Sequence, residues 1–195
     1  SLTDTIERLS ELPVRHISAY MLTLEPATPF GKSPPADMAD DDLMADFYAL
    51  CQELCARQGF AQYEISNFAR EGFQCRHNLK YWRDEEYLGI GPAAHSFYEG
   101  KRFAVPRDIR AFIAADSQPV EITDDSPGDY DERVMMGLRL SEGIPEELYK
   151  PLEGALRLLP ADYYTLENGR LALTGRGFPV YNYIVSLLLA HKEEA

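Results

Sequence analysis

Apolar positions along this chain alternate between helical spacing and short runs, which predicts a mixed α/β protein. Over residues 3–12, Ile6, Leu9 and Leu12 fall on one face among charged neighbours, an amphipathic helix that Pro13 ends. Residues 16–24 read as a strand, and the proline-rich stretch 26–35 as a loop. Residues 40–58 return to helical spacing. That helix opens on Asp40, Asp41 and Asp42 at its positive end and stops at Gly59. Strand, loop and helix make one βα unit. Residues 63–68 read as a further strand, and 97–105 as a hairpin turning at Glu99-Gly100.

After Pro106 the texture changes. A short helix over 108–115 precedes a polar stretch at 118–128, the best linker candidate. Ser126-Pro127 then opens a helix to residue 140, with proline in the first turn. Gly143-Ile144-Pro145 breaks it. Residues 145–159 read as helical, 163–174 as a hairpin turning at Asn168-Gly169, and 176–189 as a final apolar helix. Helices with one small hairpin suggest a winged-helix-like module.

Composition narrows the choices. A hydrophobic content of 45% supports a true core in 195 residues. The net charge of −13 argues against nucleic-acid binding, which needs cations to neutralise phosphates, and against anionic lipid. No apolar run reaches the roughly 20 residues of a membrane span. Cys51 and Cys55 are four apart in the 40–58 helix, so both thiols are expected to face the core as small hydrophobes. Cys75, two residues before His77, is a weaker candidate as an accessory ligand. No disulfide framework is implied, which fits a reducing cytoplasm.

The densest chemistry is His77-Asn78-Leu79-Lys80-Tyr81-Trp82, followed by Gly89-Ile90-Gly91 and His95-Ser96. Imidazole, amide and aromatic side chains beside permissive glycines suit a flat, apolar, partly charged ligand. In their own right the same residues also read as a loop histidine with two core aromatics. The glycines are not a dinucleotide fingerprint, because the third glycine is missing and Pro92 is out of place. In a strand they mark close backbone approach. Tyr63-Glu64 reads either as a site edge or as a structural hydrogen-bonding pair.

HNxxYW and the glycine–His95-Ser96 segment resemble the radical-SAM proteins related to oxygen-independent coproporphyrinogen III oxidase, and best the HemW-like haem chaperones. His16 to Gly31 is similar to the family's YxLTxExxTxFG segment, and Tyr63 to Ala69 to its YExSNFA strand. Gly137 to Ile144 and Leu171 to Gly177 are similar to its C-terminal domain. The cluster motif CxxxCxxC and the GGTP stretch are absent, so the resemblance reads the chain as a C-terminal fragment. It implies that residues 1–117 are the last βα part of a partial radical-SAM barrel with added strands. Residues 118–195 would be the family's C-terminal domain, shortened between the Gly143-Ile144 element and the hairpin.

The resemblance further implies haem contacts at His77, Asn78, Tyr81 and Trp82, with His77 as the iron ligand. Thr23, Glu25, Gly89, Gly91 and His95 would lie on the S-adenosylmethionine side. S-adenosylmethionine and a 4Fe–4S cluster belong to the longer parent, with no cluster ligand in this stretch. The expected partners are haem or a porphyrin, a haem-acceptor protein and the other half of the barrel. Two activities are compatible with these matches: haem binding and delivery, or radical decarboxylation of coproporphyrinogen III. A third reading makes the isolated stretch an inert scaffold.

Overall fold

A computed structural model describes residues 1–193. The chain is mixed α/β, with three separate three-stranded antiparallel sheets among the described residues rather than a closed barrel. Helix α1 (Leu2–Glu11) starts at a reciprocal cap between Ser1 and Asp4. Strand β1 (His16–Ser18), a short turn of helix α2 (Pro29–Lys32) and the long helix α3 (Asp41–Arg57) follow. Asp40 caps α3 by accepting from the Leu43 N–H at 2.9 Å. Strands β2 (Ala61–Glu64) and β3 (Asn67–Ala69) complete the first sheet, in the order β1-β3-β2. Both outer strands run antiparallel to β3, so β1 and β2 run parallel to each other on either side of it. Ile6, Ile17, Leu54, Phe60 and Phe68 form the core of this layer, and Cys51 and Cys55 are buried in it.

Two strand expectations change. The strand expected over 16–24 ends at Ser18 because its partner β3 is only three residues long. Tyr20, Met21 and Leu22 continue without a ladder and are exposed. The single strand expected over 63–68 is a hairpin. Ile65-Ser66 makes the turn, and the Glu64 carboxylate accepts from the Ser66 N–H at 2.7 Å.

The second sheet is β4 (His95–Tyr98), β5 (Lys101–Ala104) and β6 (Glu121–Asp124). Its first turn has positive φ at Glu99 and Gly100, as a tight hairpin requires. Helix α5 (Ile109–Ala114) is capped by Asp108, and β6 occupies part of the stretch expected to be a linker.

The last part packs helices on a third sheet. Helix α6 (Tyr130–Gly137) begins later than Pro127 because Gly128 has a left-handed φ and Asp129 provides the cap. The helix expected over 145–159 is three pieces: α7 (Glu146–Tyr149), a 3-10 turn and α8 (Glu153–Leu156). Pro151 lacks the N–H needed to continue it. Strands β7 (Ile144–Pro145), β8 (Tyr164–Glu167) and β9 (Arg170–Leu173) pair in the order β7-β9-β8, with the expected turn at Asn168-Gly169. Helix α9 (Tyr181–Ala190) follows a 3-10 turn containing Pro179. Leu138, Ile144, Leu152, Leu171, Ile184 and Leu188 are the centre of this larger core. Among the described residues no helix is long and apolar enough to cross a membrane.

The two cores meet at β2. Leu140 bridges Glu64, and the Ser141 N–H donates to the Tyr63 carbonyl at 3.0 Å. On the far side of β2, Tyr63 shares a 2.8 Å hydrogen bond with His16 Nε2. The Tyr63 hydroxyl also accepts from the Cys75 N–H at 3.3 Å, which leaves its own proton for a neutral imidazole. Burial holds His16 below its ordinary value, opposed by the Glu64 charge, and burial pushes Tyr63 up. A depressed imidazole stabilises the fold above its unfolded value, and that share is lost as pH falls through the folded one. Urea midpoints should therefore drop as pH falls from about 7.5 through about 6.5 toward about 5, and less steeply in His16→Gln. Parallel profiles for the two proteins would show that His16 contributes nothing.

Candidate functional site

The HNxxYW residues are not in a loop. They form helix α4 (Arg76–Trp82), which ends where Asp84 adopts a positive φ. Its spacing makes two adjacent stripes, because residues four apart share a face. His77 and Tyr81 are one stripe, and Asn78 and Trp82 the other. Cys75 stands at the N-cap, half-buried, and makes no side-chain cap bond.

The first stripe is an aromatic cluster. His77 Nε2 and the Tyr81 hydroxyl share a 3.2 Å hydrogen bond, with the rings edge-on at 5.0 Å and 90°. Tyr81 packs on Tyr87, their ring centroids 4.4 Å apart. Tyr87 is fixed by backbone bonds in both directions with Phe97, at 2.8 and 2.9 Å, and burial raises its phenol. The His77 ring is exposed.

The second stripe faces inward. Asn78, Tyr81 and Trp82 line a cavity of about 440 Å³ closed by Tyr87, Phe97 and Arg139, within the range of small-molecule sites. His77 lies beside this cavity rather than in its wall. The Arg139 guanidinium lies over the Trp82 ring at 4.2 Å and faces Tyr181 at 5.4 Å. Glu64, almost fully buried, sits beneath them. One of its oxygens accepts from Ser66 and from the Asn67 amide, and the other is 3.5 Å from Arg139. Asn67 in turn accepts from the Ser18 hydroxyl at 2.5 Å. On the opposite side Arg102 pairs with Asp84 at 2.7 Å and with Glu132, tying the α4 turn to β5 and α6.

The residues expected on the S-adenosylmethionine side fall in two places. Thr23 and Glu25 are exposed in the irregular segment after β1, where the Glu25 carbonyl accepts from Thr28. Gly89, Gly91 and His95 are together, but the backbone that approaches Gly89 is the chain's own. A Cβ at Gly89 would overlap the His95 carbonyl oxygen. The Gln118 side chain clamps the two glycines, donating to the Gly89 carbonyl at 3.1 Å and accepting from the Gly91 N–H at 3.0 Å. The strand expected through these glycines begins only at His95, which is exposed. Among the described residues, no hydrogen bond joins Thr23 or Glu25 to this group.

No family model matches the chain. Individual proteins do. It is 39% identical over 145 residues to a haem chaperone HemW of Synechocystis sp., which covers 67% of this chain and 34% of that protein. It is 39% identical over 144 residues to the haem chaperone HemW of Escherichia coli (69% of this chain, 37% of that protein). A Mycobacterium tuberculosis haem chaperone HemW matches 96% of the chain at 31% identity. The chain belongs to the HemW-like radical-SAM family. It spans 34% to 51% of the length of these relatives. The solved coproporphyrinogen III oxidase (HemN) of Escherichia coli, titled a radical SAM enzyme, shares the fold. Its TM-score is 0.69 at 12% identity, over 96% of this chain and 51% of that one.

Within this HemW-like chain, sequence reasoning missed Arg139, Tyr87 and Arg102 as cavity residues. Arg139 and Arg102 are each brought in by pairing across sheets and helices, and nothing local to them in the sequence marks a site. Glu64 carried a signal, read with Tyr63 as a site edge or a structural pair; its carboxylate makes the β2–β3 turn and a buried bond with Asn67.

Proposed function

We propose that this chain holds haem for a HemW-like radical-SAM protein that binds haem and delivers it to acceptor proteins in the cytoplasm. The supporting observation is the exposed His77 imidazole, held edge-on by Tyr81 beside an aromatic cavity. Haem, when bound, supplies an iron that takes an axial imidazole and a flat macrocycle that rests on apolar walls. His77 offers Nε2, exchanging its bond with Tyr81. Tyr81 orients the ring beforehand, which lowers the ordering cost of binding. Tyr81 and Tyr87 present a continuous aromatic surface, and Asn78 and Trp82 extend it inward. Thr23, Glu25, Gly89, Gly91 and His95 belong to the same proposal as the side toward S-adenosylmethionine. That cofactor and the 4Fe–4S cluster are held by the rest of a longer parent. In this reading residues 1–117 complete the barrel and 118–195 form the C-terminal domain that covers α4.

The test is the haem spectrum of two histidine variants. His77→Ala should shift the Soret band and quicken haem dissociation by about tenfold or more, equivalent to about 1.4 kcal/mol. His95→Ala should leave both unchanged. An unaltered spectrum and off-rate in His77→Ala would sink the assignment.

A further inference from the structure

Three residues that line the α4 cavity carry buried polar atoms with no hydrogen-bond partner: Glu64 Oε2, Trp82 Nε1 and Arg139 Nε. Among the described residues no other buried side-chain nitrogen or oxygen lacks one. Native proteins leave few such groups, because each carries its full desolvation cost, and their concentration around one cavity calls for a physical reason.

Their chemistry is uneven. Glu64 Oε2 is already within ion-pair range of Arg139, at 3.5 Å, and its sister oxygen is bonded. The other two are neighbouring donors, an indole N–H and a guanidinium N–H, on groups stacked at 4.2 Å. Neither of these two donors has an acceptor within hydrogen-bond reach. Its charged lining balances, with Lys80, Arg102 and Arg139 against Glu64, Asp84 and Glu85. Preference for an anion therefore rests on these two donors rather than on the field of the whole cavity. Tyr81, Tyr87 and Phe97 supply walls for a flat body.

We infer that Trp82 and Arg139 form a receptor for a carboxylate at the edge of a flat aromatic ligand. The inference rests on the haem reading for the identity of that ligand: the carboxylate is a porphyrin propionate. A charge-assisted bond from Arg139 and a neutral one from Trp82 would hold it, while His77 lies outside this receptor.

The probes are metal-free protoporphyrin, a dicarboxylate, and its dimethyl ester, titrated into the 195-residue chain. Porphyrin absorbance reads binding, and quenching of the single Trp reports contact at the site. The diacid should bind about tenfold tighter than the diester, as expected for a charge-assisted bond. Trp82→Phe keeps the ring and removes the donor, and should weaken the diacid about fivefold with little effect on the diester. Arg139→Met alone would strand Glu64, so it is combined with Glu64→Gln. That double variant should remove most of the preference for the acid, leaving only the share that Trp82 supplies. Equal binding of acid and ester, no binding of the acid, or a full preference surviving in both variants would overturn the receptor, water then being what satisfies these donors. Because neither probe contains iron, the outcome is separate from the His77 test. An unchanged haem spectrum in His77→Ala would remove the haem reading and leave a measured acid preference standing.

Discussion

Arg139→Met should lower the unfolding free energy by about 3 kcal/mol, the low end of what breaking a buried ion pair costs. Glu64 is almost wholly buried, and Arg139 is its sole cationic partner among the described residues, at 3.5 Å. That contact is close enough for attraction but beyond good hydrogen-bond length, and the Arg139 side chain remains 25% exposed, so the loss stays below the upper range. The methionine stem keeps the packing between Trp82 and Tyr181. The cost therefore arises from the stranded carboxylate rather than from a cavity. Adding Glu64→Gln should recover most of it, since an amide is less costly to bury than a charge. Chemical unfolding monitored by circular dichroism decides the matter. A double variant no more stable than Arg139→Met would place the cost in lost packing instead.

How far the sequence revealed this arrangement depends on which interactions carry it. Both hairpin turns were legible because Glu99-Gly100 and Asn168-Gly169 are local signals for positive φ. The buried face of α3, with Cys51 and Cys55, follows from helical spacing alone. The β2–β3 turn was not legible, because it is made by a side chain, Glu64, taking over the acceptor role at the bend. The α4 helix was hidden for another reason. Four of its seven residues, His77, Asn78, Tyr81 and Trp82, have weak helix propensity, and tertiary contacts help hold them: Arg83 of the helix C-cap bonds Glu142 at 3.0 and 3.1 Å. Once α4 is helical, the HNxxYW spacing acquires a meaning that the string did not show. It separates an exposed His77–Tyr81 stripe from a half-buried Asn78–Trp82 stripe, so that in the proposed haem site the histidine and the indole would serve different parts of the ligand.

Gly89→Ala should be the more damaging of two superficially equal substitutions, costing about 3 kcal/mol, the upper range for forcing bulk into a packed site. A methyl at Gly89 would overlap the His95 carbonyl, and backbone cannot yield as a flexible side chain can. Gly91 has nothing near its missing Cβ, and its φ of 103° is its constraint. Gly91→Ala should therefore cost only about 1–2 kcal/mol of backbone strain. The difference has a functional arm. Gly89 is two residues from Tyr87, whose paired bonds with Phe97 hold it against Tyr81, and the Gly89 N–H itself donates to Ser96 at 3.0 Å. Pushing the segment away from His95 displaces Tyr87, removes the packing behind Tyr81 and frees the His77 ring from its fixed orientation. Gly89→Ala should consequently speed haem dissociation as well as lower stability, whereas Gly91→Ala should leave the off-rate near that of the parent. Paired urea unfolding and haem-release measurements would show this, and a Gly89→Ala protein as stable as Gly91→Ala would mean that the chain relieves the overlap by moving elsewhere.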